Sequence, residues 1–273
     1  MRTTLTEQQI ASFQTNGFVV IEDFLDGAEL EHWRIVFTEA ISNRSGKKFP
    51  DQNIKSGEAD NINSEADYFG NVFEQLVNLW KTDEEMKKLI LDPKIGEMAA
   101  TLAGVNGVRV WHDQALIKKP WANPTAWHLD TPYWSFDSRD ALSIWIALDD
   151  ATLQNGCLFF LPETHTKTRL EDPGITKNMN AIFEFYPEFK SIDSVAAPMK
   201  AGSCSFHNGL TVHGANANMT SGYRRAMTCA FMPEGSLFNG KQNILSDTQI
   251  ASLEIGDVLQ DDTQNPIVFS RKK

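Results

Sequence analysis

The stretch VRVWHDQALIK, residues 108–118, divides the chain into two parts of different character. Before it, apolar residues recur at helical spacing, as at Leu30, Trp33 and Phe37. From residue 108 onward the apolar segments are short, rich in β-branched and aromatic residues, and separated by turn residues. Helices followed by strands, without alternation, favour a sandwich or barrel over a doubly wound parallel sheet.

Individual elements can be predicted on both sides of this stretch. Thr6 and Gln9 form a capping-box pair that begins a helix ending near Asn16, and a strand follows at Phe18–Ile21. Further helices are predicted from Asp26 or Gly27, from near Asn71, and through 83–91 and 93–103, with a long loop at 43–66. The predicted later strands are Val108–Lys118, Ala126–Asp130, Ala141–Leu148, Cys157–Leu161, Ser203–His207, Val212–Gly214 and Arg225–Met232.

The overall composition excludes several classes of protein. The 273 residues include 25 basic and 36 acidic side chains, a net charge of −11, which argues against nucleic-acid binding. No apolar run is long enough to span a membrane, and residues 1–10 lack the apolar core of a signal peptide. The three cysteines lie far apart, so a disulfide framework is not expected. We therefore expect a cytoplasmic protein without membrane or nucleic-acid partners; a homo-oligomer is left open.

A pair of potential metal ligands occurs in Trp127-His128-Leu129-Asp130. Residues i and i+2 of a strand share one face, so His128 and Asp130 could reach the same point. A hydrogen-bonded His–Asp pair at a strand end would explain the same pattern. A second histidine, His213, lies in another predicted strand, with Arg224 eleven residues later. Two histidines and one carboxylate on a β scaffold are typical of non-haem Fe(II) oxygenases, and an arginine nearby could bind a carboxylate.

Four ordered motifs resemble the phytanoyl-CoA dioxygenase-like branch of the Fe(II)/2-oxoglutarate-dependent oxygenases. They are WHLDTPYW at 127–134, SIWIALDDAT at 143–152, NGCLFFLPETH at 155–165, and the stretch from Phe206 through His213 to Arg224. The opening strand in NGFVVI, residues 16–21, also matches, so the resemblance covers roughly residues 7–233. Ser203 departs from the family pattern, which often has Asp there.

The resemblance implies a double-stranded β-helix (jelly-roll, cupin-like) core, mainly β, wrapped by N-terminal α-helices. It implies one domain, with a mostly helical wrap at 1–105, the core at 106–235 and a C-terminal extension at 236–273. His128, Asp130 and His213 would be the Fe(II) ligands, and Arg224 would bind the distal carboxylate of 2-oxoglutarate. With O2, such an enzyme would oxidise a C–H bond and release succinate and CO2. The presence of Asp130, where related halogenases carry a small residue, favours hydroxylation or another oxidation over halogenation.

Strand parity distinguishes Arg224 from its neighbour Arg225. Arg224 shares a face with small residues such as Ala226, which leaves room for a diacid, whereas Arg225 shares a face with bulky ones such as Met227 and Phe231. In the strand 141–149, Ala141, Ser143, Trp145 and Ala147 likewise oppose a purely aliphatic face. Trp145 is therefore a candidate for lining the cosubstrate pocket, with a plain core role as the alternative.

The remaining candidates have weaker support. His112 and Gln114 share a strand face and could bind the cosubstrate or be structural. Tyr133 and Trp134 follow the ligand pair and could contact substrate or belong to the core. His165 is expected to be structural, and His207 is expected to be a structural residue or to support a ligand by a hydrogen bond. Residues 166–198, like the loop 43–66, are expected to border the site.

The function predicted is hydroxylation, or another C–H oxidation, of a small-molecule metabolite. A CoA thioester would favour a basic patch, and only scattered lysines such as Lys118, Lys119, Lys167 and Lys177 are available. The alternatives are a cupin-like metalloenzyme that does not use 2-oxoglutarate and a catalytically inactive jelly-roll binding protein.

Overall fold

A computed structural model of the protein describes residues 1–44, 46–50, 68, 70–171 and 174–271. Its helices are α1 (Glu7–Asn16), α2 (Gly27–Asn43), α3 (Glu84–Ile90), α4 (Pro93–Ala103), α5 (Ala181–Phe185) and α6 (Asp247–Ala251). Its strands are β1 (Phe18–Ile21), β2 (Glu74–Val77), β3 (Gly107–Lys118), β4 (Thr125–His128), β5 (Leu142–Ala147), β6 (Leu158–Phe160), β7 (Val195–Ala197), β8 (Cys204–Asn208), β9 (His213–Ala215), β10 (Arg224–Pro233) and β11 (Ile267–Ser270). Short 3₁₀ helices occur at Leu79–Lys81, Thr131–Tyr133, Thr164–Thr166 and Pro187–Ser191.

These strands form two antiparallel sheets. The larger has the order β1-β8-β5-β10-β3-β11, with β2 also paired to β3, and the smaller has the order β4-β9-β6-β7. Most pairings join strands that are distant in sequence, such as β1 with β8 and β5 with β10, as expected of a jelly-roll. The two sheets therefore confirm the predicted fold class. None of the helices in the described ranges is long and apolar enough to cross a membrane.

Local signals set the helix ends as predicted. The Thr6 side chain accepts a bond from the Gln9 amide while the Gln9 side chain accepts from the Thr6 amide, and α1 ends at Gly17 with φ +81°. Asp26 and Glu29 make the same reciprocal cap at the start of α2. Each cap satisfies amide groups that have no partner within the helix.

The two faces of β5 separate the two main apolar clusters. Leu142, Ile144 and Ile146 pack with residues of the N-terminal helices, including Trp33 and Met98. On the opposite face, Trp145 and Ala147 pack with Leu158 and Phe160 of the smaller sheet. The alternation seen in the sequence therefore divides a helix-covered outer face from the interior between the sheets.

One predicted element is wrong, and another ends earlier than predicted. No helix begins at Asn71 in the described range 70–171: residues 71–72 form a turn, and Glu74–Val77 is a strand because its backbone pairs with β3 and buries Leu76 and Val77. The strand predicted to reach Asp130 ends at His128, since Asp130 adopts helical φ and ψ and precedes a 3₁₀ turn that contains Pro132.

Two short strands escaped prediction. β7 has only three residues and an exposed first residue, and β11 is half exposed, so neither carries a clear alternating pattern. β11 nevertheless pairs with β3 in the larger sheet. Most of the predicted loop 43–66 lies outside the described residues.

Candidate metal centre

His128 and His213 occupy directly opposite positions in the antiparallel pair β4–β9. Their ring centroids are 4.2 Å apart. Nδ1 of His128 bonds the carbonyl of Ala126 at 2.8 Å, and Nδ1 of His213 bonds the carbonyl of Thr211 at 3.0 Å. A carbonyl can only accept, so each Nδ1 carries the proton and each Nε2 keeps its lone pair for a metal.

Asp130 is brought to the histidines by the turn that follows β4. The amides of Asp130 and Thr131 both donate to the carbonyl of Gly209, at 2.9 and 3.0 Å. Ser143, on β5, donates its hydroxyl to Asp130 Oδ2 at 3.2 Å. The carboxylate is thus held by a backbone clamp and a side chain of the larger sheet.

These three side chains could hold a metal ion. Asp130 Oδ1 lies 3.7 Å from Nε2 of both His128 and His213, and the three ligand atoms are all within 4.8 Å of one another. Burial opposes ionisation of Asp130, but His213, His207 and His128 together hold its pKa below the ordinary range. Burial also lowers the pKa of His213. An ionised carboxylate and a neutral imidazole are the protonation states that a metal requires.

His207 and His165 both lie outside this set of ligand atoms. His207, on β8, places Nε2 3.4 Å from Asp130 Oδ2 and packs its ring against His213 at 4.5 Å. His207 therefore contacts Asp130 at Oδ2, whereas the two candidate histidine ligands approach Oδ1. His165 lies at the α1–β1 corner, where its Nε2 is 3.2 Å from the Gln14 carbonyl and its ring packs closely against Gly17.

Arg224 lies in the interior, as the strand parity predicts. Ala226 packs with Trp145 between the sheets, whereas Met227 and Phe231 pack on the helix-covered side. The guanidinium carbon of Arg224 lies 5.1 Å from the Trp145 ring centroid, and its Nε and Nη1 have no hydrogen-bond partner among the described residues. Burial lowers the pKa of Arg224 to about 10, so it stays charged at neutral pH. Arg225 instead forms a two-bond pair with Asp149, at 2.7 and 2.9 Å.

The other predicted site residues have packing partners. His112 is buried, contacts the Trp134 ring edge-on at 6.3 Å and lies 3.2 Å from Gln114 Nε2; burial lowers its pKa to about 4. Trp134 is 3 % exposed and stacks on Phe136, while Tyr133 packs at the edge of the same cluster. These positions are compatible with a structural role, and their contact with cosubstrate or substrate stays a prediction.

Sequence reasoning missed two residues near the site. Ser143 was recognised only as a small residue, because the sequence around it does not show that β5 brings its hydroxyl next to Asp130. Lys118 was counted only among scattered lysines, yet it is fully buried and lies opposite Arg224 in the β3–β10 register. The register of that pair, which the sequence does not specify, is the signal that would have revealed it.

The fold and these side chains define a jelly-roll protein with a two-histidine, one-carboxylate candidate metal centre. The family model for phytanoyl-CoA dioxygenase matches residues 13–226. The chain therefore belongs to the phytanoyl-CoA dioxygenase family.

Two relatives and one solved structure are similar to the chain along most of its length. The chain is 26 % identical over 239 residues to the peroxisomal phytanoyl-CoA dioxygenase of Mus musculus, covering 83 % of this chain and 68 % of that one. It is 27 % identical over 248 residues to the methylphosphonate hydroxylase of Gimesia maris, covering 87 % and 85 %. The crystal structure of SnoK, a non-heme alpha ketoglutarate dependent carbocyclase from nogalamycin biosynthesis, shares its fold, with a TM-score of 0.75, 24 % identity and coverage of 97 % and 96 %.

Proposed function

We propose that the chain is a non-haem Fe(II)- and 2-oxoglutarate-dependent dioxygenase that hydroxylates, or otherwise oxidises, a C–H bond of a small-molecule metabolite. Family membership supports the reaction class. The observation that carries the proposal is that a three-ligand centre, with both histidines on the smaller sheet, is accompanied on the larger sheet by a buried arginine whose Nε and Nη1 have no partner among the described residues.

The residues fit the two groups that this chemistry needs. His128, Asp130 and His213 would bind Fe(II), leaving positions open for a cosubstrate and O2. On β5, Ser143 touches Asp130, and Trp145, two residues further on, touches Arg224. Two residues of a strand span about 6.6 Å, close to the roughly 5 Å between the ends of a five-carbon diacid. This spacing supports Arg224 as the residue that would bind the far carboxylate of 2-oxoglutarate.

Each protein group would have a defined part in catalysis. When bound, iron and 2-oxoglutarate supply the oxidising power, with release of succinate and CO2. Asp130 and the two histidines would hold the metal in one orientation, supported by Ser143 and His207. Arg224 would fix the orientation of the cosubstrate, and Trp145 would cover one side of the guanidinium and help exclude water.

The substrate is proposed to be a small metabolite rather than a CoA thioester. Lys119 pairs with Glu74 at 3.3 Å and Lys167 with Glu163 at 3.3 Å, while Lys118 is buried. These three lysines therefore do not form a surface patch for the phosphates of CoA. The name of the Gimesia maris relative likewise describes a small substrate. The cytoplasmic location, oligomeric state and division into segments 1–105, 106–235 and 236–273 stay predictions.

An anaerobic titration tests the proposal directly. Fe(II)-loaded protein should develop a metal-to-ligand charge-transfer band as 2-oxoglutarate is added. Metal binding without that band would favour the cupin-like alternative, and failure to bind Fe(II) would favour the inactive binding protein. Candidate metabolites can then be screened for stimulated succinate release.

A further inference from the structure

Lys118 and Arg224 form a pair of buried cations at the end of the interior face. They are direct register partners on β3 and β10, so their side chains share the face that also carries Leu116 and Ala226. Lys118 is 0 % exposed and Arg224 is 2 % exposed. Lys118 Nζ, like Nε and Nη1 of Arg224, has no hydrogen-bond partner among the described residues.

Such an arrangement is costly for a fold. A buried cation without a partner loses its hydration, and a second cation nearby adds repulsion. Burial and the charge of Arg224 lower the pKa of Lys118 to about 7. Apolar side chains at these two core positions would give a more stable fold. The presence of two cations instead indicates a binding site for an anion.

The nearby acidic side chains are engaged with other partners. Asp149 accepts two bonds from the side chain of Arg225, and Glu74 pairs with Lys119. The thiol of Cys157 stays neutral because burial raises its pKa. The anion that neutralises Lys118 and Arg224 must therefore come from outside this group of residues.

The stem of Lys118 is held in place by the loop before β6. Gly156 has φ +98°, and a Cβ added there would lie 2.7 Å from Lys118 Cδ and 2.7 Å from the Asn216 carbonyl oxygen. The side chain amide of Asn218 donates to the Lys118 carbonyl at 3.4 Å and the Lys119 carbonyl at 2.8 Å. The backbone at Lys118 and directly after it is thus fixed, as a preorganised binding group requires.

We propose that Lys118 and Arg224 together bind the distal carboxylate of the cosubstrate, so that Lys118 sets the preference for a 2-oxo diacid over a 2-oxo monoacid. This inference rests on the proposed function. Arg224 supplies planar donors and Lys118 supplies a point charge from the neighbouring strand, so one carboxylate can satisfy both. A monoacid such as pyruvate would leave both cations unpaired.

The test is an anaerobic titration of Fe(II)-loaded protein with 2-oxoglutarate and, separately, with pyruvate. Lys118→Met should lower the affinity for 2-oxoglutarate at least about tenfold, because a charge-assisted hydrogen bond is lost. The same substitution should change the affinity for pyruvate less than about twofold. The matched control, Lys119→Met, removes the adjacent exposed lysine and should change neither. Binding of 2-oxoglutarate by Lys118→Met within about twofold of wild type, or an equal loss of both acids, would overturn the inference. A wild-type protein that gives no band with either acid would instead contradict the proposed function.

Thermal unfolding supplies an independent readout. Lys118→Met should raise the Tm of the Fe(II) protein without cosubstrate, because it removes a buried unpaired charge and keeps the apolar stem. A structural role for the ammonium predicts a lower Tm, and that result would count against the inference. Lys118→Gln, which keeps a polar head but no charge, should give the same loss of 2-oxoglutarate affinity.

Discussion

The Nε2 atoms of His128 and His213 both lie near Asp130 Oδ1, because the two histidines occupy opposite positions of β4 and β9. Each ring is locked by a bond from its Nδ1 to the carbonyl two residues earlier. The backbone of two short strands therefore determines both the separation and the tautomer of the imidazoles. Asp130 is positioned differently, by a turn whose amides bond to Gly209.

Removing either type of candidate ligand should abolish activity. Asp130→Ala and His213→Ala should each eliminate substrate-dependent succinate formation, because two remaining ligands would not hold Fe(II) firmly. Fe(II) affinity by equilibrium dialysis and succinate release measure the two effects. Asp150→Ala removes a surface carboxylate that pairs with Lys200, and should behave as wild type. Retained turnover in the ligand variants would refute the ligand assignment.

Ser143 should support the metal through Asp130. Ser143→Ala removes the donor to Asp130 Oδ2, and such supporting bonds are worth roughly 10–100-fold in metal affinity. Ser135→Ala is the matched control, since that serine is equally buried but donates to the Gln242 carbonyl. Equal metal affinity in the two variants would show that the bond to Asp130 is unimportant.

Substitution of Arg224 should affect cosubstrate binding, whereas substitution of Arg225 should affect only stability. Arg224→Met should raise the concentration of 2-oxoglutarate needed for half-maximal succinate release by about tenfold or more. Arg225→Met loses the partly exposed pair with Asp149, so it should cost about 1 kcal/mol of stability or less and leave the 2-oxoglutarate requirement unchanged. The reverse pattern would mean that the strand parity misassigned the two arginines.

Gly209 should be needed for the position of Asp130. A Cβ added at Gly209 would lie 2.2 Å from Thr131 Oγ1 and 3.0 Å from the Trp134 ring, so Gly209→Ala should displace the turn. We expect a loss of about 1–3 kcal/mol of stability together with weaker Fe(II) binding. Gly27→Ala, at the first position of α2 where an added Cβ has no atom within 4 Å, is the control. Denaturant unfolding and metal titration of both variants give the comparison.

The affinity for 2-oxoglutarate should fall as the pH rises above about 7. Burial and Arg224 lower the pKa of Lys118 to about 7, and a bound carboxylate would raise it. Protonated Lys118 is the binding form, so affinity should drop by up to about tenfold per pH unit between the pKa of the free protein and that of the complex. Arg224 stays charged with a pKa of about 10, and Cys157 stays neutral.

The same titrations can be run from about pH 6.5 to about pH 8.5. Lys118→Met should show weak affinity that varies little over this range. A wild-type affinity that is equally flat would mean that Lys118 does not titrate against the bound carboxylate.

Local patterns predicted most of the framework correctly. The caps at Thr6 and Asp26 set the starts of α1 and α2, and the alternation in residues 141–148 correctly predicts which residues face outward and which face the interior. These features depend on neighbours within a few residues, so the sequence contains all the information needed. The predicted helix near Asn71 failed because pairing of Glu74–Val77 with β3 outweighs local helix preference.

The sequence by itself identified the candidate ligands and the jelly-roll class through motifs that resemble those of a known family, and it predicted the inward face of Arg224 through residue parity. Only the tertiary structure decided that Ser143 supports Asp130 and that Lys118 lies buried beside Arg224. Both contacts join segments brought together by long-range folding, and strand register across such segments is set by packing of the whole sheet rather than by nearby residues.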